Sequence, residues 1–124
     1  MKKAPIDSGL SIYGGQQGRS TLYKLCFFVP DSHLEPVKAA VFAAGGGRIG
    51  DYESCSWQTL GEGQFRPGPG ADPYLGTAGQ LEKVSEWKVE MVVADDVVQA
   101  VVTAMKRAHP YETPAYQVWA LLDI

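Results

Sequence analysis

Hydrophobic and polar residues alternate along two stretches of this chain, and the two stretches are related by a repeat of 64 positions. Residues 23–31 align with residues 87–95 without a gap. Identities within and beyond these stretches fall at Lys24/Lys88, Val29/Val93, Asp31/Asp95, Val37/Val101, Ala40/Ala104, Ala44/Ala108 and Tyr52/Tyr116. Such alternation is typical of strands with one buried face. It predicts strands over about Leu22–Val29 and about Glu82–Val93.

Each predicted strand is followed by a segment whose apolar residues recur at helical spacing. The first stripe is Leu34, Val37, Val41 and Ala44, and the second is Val98, Val101, Met105 and Ala108. These stripes predict two amphipathic helices, the second over about Asp96–Ala108. Ser32 and Glu35 predict a capping box at the start of the first helix. The glycines at 45–47 predict its end, because glycine takes the left-handed conformation at little steric cost.

Two further strands complete a repeated strand-helix-strand pattern. They are predicted over about Asp51–Leu60 and Ala115–Leu122, and residues 61–81 form a long irregular segment between the halves. An irregular segment of that length inside a compact domain is often functional. The order β-α-β-β-α-β predicts an α+β ferredoxin-like sandwich, with two helices on one face of an antiparallel sheet. Residues 1–21 show no periodicity and are predicted to be a flexible leader to a domain spanning 22–124.

A single layer of helices leaves the other face of the predicted sheet uncovered. That face carries Cys26, Phe28 and Val92 beside Lys24, Lys88 and Glu90. This mixture is too apolar to be fully solvated, so a symmetric oligomer that packs sheet against sheet is expected. A monomer with a partly apolar sheet face is the alternative. Trp57, Trp87 and Trp119 all fall on predicted strands and are expected to be core or interface aromatics.

Composition narrows the possible partners and compartment. The chain has 124 residues, with a net charge of −3 and scattered Lys and Arg, which argues against a nucleic acid or anionic membrane partner. No apolar run approaches the roughly 20 residues of a membrane span, and the start lacks the apolar core of a signal peptide. Two cysteines, Cys26 and Cys55, are expected to be free thiols in a cytoplasmic protein.

Gly45–Gly50 matches the G-x-G-x-x-G spacing of dinucleotide-binding loops. In such loops the glycines leave a strand and open a helix, whose N-terminus meets the pyrophosphate. Here the glycines leave a helix and enter a strand. The helix-end interpretation is therefore preferred, and neither glycine-rich segment contains a Walker lysine.

The segment His109–Pro114, His-Pro-Tyr-Glu-Thr-Pro, directly follows the second helix and allows three interpretations. A histidine in the last turn and a following proline are typical of a helix stop. An imidazole and the Glu112 carboxylate on a proline-stiffened loop could instead bind a metal or transfer a proton. A metal site would need a third ligand, from Cys55 or a neighbouring subunit.

The irregular segment carries Phe65, Arg66 and Tyr74 among glycines and prolines. An arginine on such a loop could clamp an anion through two parallel hydrogen bonds. Alternatively, the two aromatic residues simply pin the loop to the body of the domain. Both interpretations stay open.

Several motifs together resemble a known family. Residues 23–29, Gly47-Arg48-Ile49-Gly50-Asp51-Tyr52 with Cys55, Gly63–Pro67, Gly70–Pro73 and His109–Glu112 occur in the order found in the YqfO-like domain. That domain is known as an insert in the Nif-three-like dinuclear-metal family and as a short stand-alone protein. The resemblance covers about residues 22–124. It implies kinship with the trimeric PII and CutA proteins, whose ending the segment at His109–Pro114 also resembles.

The resemblance implies a homotrimer in which residues 61–81 stand where PII proteins carry their ligand- and partner-contacting loop. It brings neither the dinuclear centre nor the cyclohydrolase label, because the domains that hold the metals have no counterpart here. The link of CutA to divalent cations supports a site for Cu²⁺ or Zn²⁺ near Cys55, His109 and Glu112. The remaining ligand-binding candidates are Arg66, Phe65, Tyr74 and Tyr111.

The resulting functional hypothesis is a non-catalytic trimeric module that binds a small ligand or metal at subunit clefts. Ligand binding would order the 61–81 loop and present a new surface to a protein partner. One alternative is a hydrolase or isomerase with His109 as base and Glu112 as its orienting partner. Another is a structural cap that docks onto a metal-dependent partner protein.

Overall fold

The computed structural model describes residues 21–124, and the elements follow the predicted order. The strands are β1 (Leu22–Pro30), β2 (Trp57–Phe65), β3 (Glu82–Ala94) and β4 (Tyr116–Ala120), and the helices are α1 (Leu34–Ala43) and α2 (Val98–Ala108). A short 3₁₀ turn, Asp31–His33, joins β1 to α1. Residues 1–20 of the predicted leader lie outside the described residues. Thr21 is described, and its carbonyl oxygen accepts a hydrogen bond from the Asp95 amide at 3.0 Å.

The four strands form one antiparallel sheet in the order β2-β3-β1-β4. This is the predicted ferredoxin-like topology. The sequence repeat is visible in the register, because Cys26 pairs with Glu90 and these two are also equivalent positions of the repeat. A pseudo-twofold axis therefore passes between them at the centre of the sheet.

The core lies between the sheet and the two helices. Alternate residues of β1 and β3, among them Phe27, Val29 and Val89, pack against Val41 and Met105 of the helices. The predicted stripes are confirmed at Leu34, Val37, Val41, Val101 and Met105, all of which are buried. The alternation in each central strand thus fixes which face the helices cover.

The predicted capping box at Ser32 is wrong. Helix α1 begins at Leu34 after the 3₁₀ turn, its N-cap residue is His33, and no side chain caps it. The Ser32 hydroxyl instead contacts Nδ1 of His33 at 2.8 Å. The predicted glycine ending is confirmed: Gly45 and Gly47 have positive φ angles of 111° and 74°.

The predicted bounds of the second strand are also wrong, and the repeat explains the error. Trp57 pairs with Glu90 while Gln117 pairs with Cys26, so Trp57 and Gln117 are equivalent although 60 rather than 64 positions separate them. Between equivalent positions of the repeat, the first half therefore contains four more residues after its helix than the second half does. Strand β2 begins at Trp57 instead of Asp51, and it continues to Phe65. The irregular segment is accordingly 66–81, not 61–81.

The sheet face without helices carries charges at its centre and tryptophans at its edges. Lys24 and Lys88 lie 2.8 and 4.0 Å from the two carboxylate oxygens of Glu90. Trp57 and Trp119 are 69% and 48% exposed, and their partners Glu90 and Lys24 place them on this face. Neither is in the core of this chain, whereas Trp87 packs against the core and donates to Asp31 at 2.7 Å.

The two ends of the described chain lie side by side. The Leu121 amide donates to the Leu22 carbonyl at 3.0 Å, and the Thr21 hydroxyl donates to the Asp123 carboxylate at 3.3 Å. Within residues 21–124, no helix has the length and apolar character needed to cross a membrane.

Candidate ligand-binding site

A cavity of about 340 Å³ lies at the end of the sheet where β1 ends and β4 begins. Its walls come from the end of β2, the 66–81 loop, β3 and the connection between α2 and β4. Residues with chemical character in the lining are Phe65, Arg66, Tyr74, Glu86, Tyr111 and Glu112. The structure therefore brings together the four predicted ligand-binding residues within one chain.

Aromatic rings form a continuous cluster around Tyr111. The ring centroids of Phe65 and Tyr74 lie 6.1 and 6.2 Å from that of Tyr111, and the His109 ring lies 4.9 Å from it. Tyr74 also contacts His33 edge-on, with centroids 5.5 Å apart. Phe65 and Tyr74 thus contact the body of the domain, as the second interpretation expects, and they also line the cavity. Anion binding by Arg66 stays a prediction.

Glu86 is a cavity residue that the sequence reasoning missed. Its Oε2 accepts a hydrogen bond of 2.8 Å from the Tyr111 hydroxyl. Burial and this carboxylate raise the pKa of Tyr111 above its ordinary value, so the hydroxyl stays protonated and keeps donating. On the other side the carboxylate packs against Gly63, where a Cβ atom would collide with Oε1. Gly63 pairs with Val84, so it lies diagonally across from Glu86. A glycine inside a strand indicates such a close approach, and this was the signal in the sequence.

Glu112 ties the loop to the opposite wall of the cavity. Its Oε1 accepts a hydrogen bond of 3.0 Å from the Asp72 amide. The loop is further closed at its base, where the Gly79 amide donates to the Pro67 carbonyl at 2.8 Å. The 66–81 segment therefore has a defined shape, and a carboxylate from the facing connection holds its middle.

His109 has a structural role with both ring nitrogens in use. Nδ1 accepts from the Tyr111 amide at 3.1 Å, and Nε2 donates to the Phe28 carbonyl at 2.7 Å. Because an amide can only donate and a carbonyl can only accept, the imidazole is the neutral Nε2–H tautomer. Burial lowers its pKa, which favours the same neutral form. Neither nitrogen is directed at Glu112, so the geometry gives no support to the proposed acid–base pair.

Among residues 21–124, no group of three or more His, Cys, Asp or Glu side chains is arranged to hold a metal ion. Cys55 does not line the cavity, and its Sγ contacts the Glu53 carbonyl oxygen at 3.7 Å. Both cysteines are free thiols, as predicted. A metal site at Cys55, His109 and Glu112 stays a prediction, and it would require ligands from another copy and release of one His109 hydrogen bond.

A second groove, of about 710 Å³, runs between α2 and the β1–β4 edge. Its lining includes Asp95 and Lys106, and the Lys106 ammonium lies 5.0 Å from the centre of the Tyr116 ring. The first cavity is the stronger candidate, because the irregular 66–81 loop closes over it and three mutually packed aromatic rings line it.

Four antiparallel strands and two helices in this order define a ferredoxin-like α+β fold. No protein-family model matches the chain. Over 105 residues it is 48% identical to a GTP cyclohydrolase 1 type 2 homolog of Mycobacterium leprae, covering 85% of this chain and 27% of that protein. The homolog of Bacillus subtilis is 43% identical over 98 residues, covering 79% of this chain and 26% of that protein. The chain thus spans about a quarter of the length of these relatives.

Solved structures agree with this assignment. The structure of a Bacillus cereus protein related to NIF3 matches with a TM-score of 0.72 and 36% identity, over 86% of this chain and 27% of that one. CutA from Xylella fastidiosa matches with a TM-score of 0.59 and 18% identity, over 82% of this chain and 85% of that one. GlnK of Bacillus subtilis matches with a TM-score of 0.54 and 16% identity, over 82% of this chain and 86% of that one. The CutA and GlnK matches show a common fold alone, whereas the Bacillus cereus match shows that this chain is similar to part of a protein related to NIF3.

Proposed function

We propose that this chain is a homotrimeric, non-catalytic binding module that takes a small ligand in the cavity at the end of its sheet and signals through the 66–81 loop. The observation that carries the proposal is the cavity itself, in which three aromatic rings and unpaired charges of both signs converge. The hydrogen bond from Asp72 to Glu112 links occupancy of the cavity to the position of the loop. A ligand that contacts both walls would favour one loop position over others.

Ligand binding is tested by thermal unfolding against a compound library that includes nucleotides, amino acids, Zn²⁺ and Cu²⁺. A ligand present at 100 times its Kd stabilises the folded protein by about 2.7 kcal/mol, whatever its chemistry. The variants Phe65→Ala and Tyr74→Ala are expected to abolish the shift. Tyr52→Ala is the matched control, because Tyr52 is an exposed tyrosine outside the cavity. A library without any stabilising compound contradicts the proposal.

Signalling through the loop is tested by amide hydrogen exchange with and without the ligand found. Protection is expected to rise at Asp72 and Gly79, whose amides hold the middle and base of the loop. The amide of Cys55 serves as an internal reference, because it donates to the Gly47 carbonyl at 2.8 Å and neither residue lines the cavity. A bound ligand that leaves exchange in the loop unchanged contradicts the signalling role.

Self-association follows from the uncovered sheet face. Exposed Trp57 and Trp119 flank a charged centre on that face, and such a mixture favours burial against further copies. Sedimentation equilibrium of the wild type is expected to give three times the 13.4 kDa chain mass. Trp57→Lys is expected to lower the measured mass, because it places a charge on the face that would be buried between copies. Leu60→Lys is the control, because Leu60 is 54% exposed but lies on the opposite face.

Docking onto a larger metal-dependent protein is the second candidate. It is favoured by the length comparison, since relatives at 48% and 43% identity contain this module as about a quarter of a longer chain. The purified chain would then capture one defined partner without added ligand. Retention of that capture by Phe65→Ala would separate the docking role from the ligand-dependent one.

A further inference from the structure

Three charged side chains line the cavity, Arg66, Glu86 and Glu112, and the Glu112 carboxylate already accepts a hydrogen bond from the Asp72 amide. Within the described part of the chain, the ion pairs join Lys24 and Lys88 to Glu90 and Lys38 to Glu35. Neither Arg66 nor Glu86 takes part in any of them, although both line the same cavity. A guanidinium and a carboxylate that face one cavity without pairing are available for a ligand that carries both charges.

The Glu86 carboxylate is positioned for a cation. It is half-buried and held between the Tyr111 hydroxyl and Gly63. Only one lone pair of Oε2 is used by that hydrogen bond, so the carboxylate can still accept from an ammonium group. Phe65, Tyr74 and Tyr111 surround the same space with ring surfaces, which attract cations as well.

Arg66 offers the opposite charge at the exposed rim of the cavity. It directly follows the β2 residue Phe65 at the start of the loop, and its side chain is exposed. A guanidinium recognises a carboxylate through two parallel hydrogen bonds. An anion alone would meet repulsion from Glu86 and Glu112, and a cation alone would leave Arg66 without a partner. A ligand that carries both charges can contact a carboxylate and the guanidinium at once.

The size and remaining lining indicate what lies between the two charged groups. A volume of about 340 Å³ is at the lower end of the range for small-molecule sites, about 300–1,000 Å³. Pro67, Pro73 and Leu75 add apolar wall to the aromatic rings. We propose that the ligand is a zwitterionic amino acid with an apolar or aromatic side chain, its ammonium at Glu86 and its carboxylate at Arg66. This inference rests on the proposed ligand-binding function.

A ligand series tests the two charges separately. L-phenylalanine, L-phenylalaninamide and 3-phenylpropionate share the same ring, but the second lacks the carboxylate and the third lacks the ammonium. Calorimetry on the full chain is expected to show binding of L-phenylalanine. Each truncated compound is expected to bind at least about tenfold more weakly, the usual effect of losing a charged hydrogen-bonding group. L-leucine and L-tryptophan extend the series to other apolar side chains.

Two variants assign each charge to its residue. Glu86→Gln is expected to weaken binding of L-phenylalanine and its amide about tenfold and to strengthen binding of 3-phenylpropionate, because a repulsive charge is removed. Arg66→Gln is expected to weaken binding of L-phenylalanine and 3-phenylpropionate and not to weaken binding of the amide, which loses a repulsive charge. A merely structural role would weaken all three compounds alike. Glu62→Gln is the control, because Glu62 is an exposed carboxylate of β2 outside the cavity.

The outcomes separate this inference from the function on which it rests. Equal affinity for L-phenylalanine and 3-phenylpropionate overturns the inference, as does the absence of binding by every amino acid. If a library compound of another class then binds and Phe65→Ala abolishes its binding, the proposed function survives without the inference. If no compound binds at all, both are rejected.

Discussion

The connections that follow the two helices occupy equivalent places in the repeat, yet they are built in opposite ways. The connection after α1, residues 44–56, contains three glycines with positive φ and a turn closed by Ile49 and Tyr52. The connection after α2, residues 109–115, is shorter and contains two prolines and the buried His109. Only the second connection lines the candidate site.

This difference shows how a duplicated fold acquires one site instead of two. Strands β1 and β3 and the two helices keep the repeat because they share a core, where a changed spacing would expose apolar residues. The connections lie outside that core and are free to diverge. In the second connection His109 fixes the backbone, so that Tyr111 and Glu112 face the cavity.

The largest expected effect comes from removing His109, which should break the second connection. In His109→Ala the Phe28 carbonyl and the Tyr111 amide lose their buried partner, and each unsatisfied group costs about 1–3 kcal/mol. The free energy of unfolding should therefore fall by about 2–6 kcal/mol in a urea titration. His33→Ala, whose ring is more exposed, should cost less than about 1 kcal/mol. Equal losses in the two variants would contradict the bridging role of His109.

The glycines of the first connection should give the next largest effect. A Cβ at Gly47 would lie 2.6 Å from the Cys55 carbonyl oxygen, whereas a Cβ at Gly50 would meet open space. Both residues have positive φ, which costs a residue with a side chain about 1–2 kcal/mol. Gly47→Ala should therefore lose about 2–3 kcal/mol and Gly50→Ala about 1 kcal/mol, with overpacking as the difference. Equal losses of stability in Gly47→Ala and Gly50→Ala would show that the close approach of Gly47 to Cys55 does not occur in solution.

A pH titration should sharpen the comparison, because only the second connection contains a buried titratable group. Burial lowers the pKa of His109, so the unfolded chain, with an ordinary value of about 6.5, takes up its proton first. The stability that depends on neutral His109 is complete above that value. It is lost as the pH falls through the lower pKa of the folded state. The unfolding free energy of the wild type should therefore decrease more steeply below pH 6.5 than that of His109→Gln. Parallel curves would contradict the assignment.

The smallest expected effect concerns the contact between the second connection and the loop. In Glu112→Gln an uncharged oxygen still accepts from the Asp72 amide, so the loss should be less than about 1 kcal/mol. Hydrogen exchange at Asp72 should nevertheless become faster than in the wild type. Glu53→Gln, an exposed carboxylate in the first connection, should leave that rate unchanged.

The strands and helices could be predicted because each follows from a periodic pattern of few residues. Leu25, Phe27 and Val29 point to one face wherever the strand lies, so β1 was located nearly to the residue. Strand β2 was misplaced because its pattern is weak: residues 57–65 are mostly exposed, and glycines interrupt them. The gapless repeat then suggested bounds that the longer first connection had shifted by four positions.

The candidate site could be predicted only in part, because its residues meet through tertiary structure. Arg66, Phe65, Tyr74 and Tyr111 were singled out by unusual local sequence, and the cavity includes all four. Glu86 looks like any outward-facing polar residue of an alternating strand, and its role depends on Tyr111, which lies 25 positions away. Likewise, the tautomer of His109 follows from its hydrogen bond to the Phe28 carbonyl, 81 positions away. A local sequence pattern cannot indicate such a contact.

The hydrogen bond between Leu22 and Leu121 has a consequence for the evolution of larger proteins. A polypeptide that enters this module at one strand leaves it through the neighbouring strand, only one strand spacing away. A surface loop of another protein could be opened and the whole unit accommodated there, with almost no displacement of the flanking residues. The same geometry would let the unit be removed again without breaking strand pairs in the host protein or in the unit. A rearrangement of the gene could therefore convert an embedded form into an independent one, or the reverse.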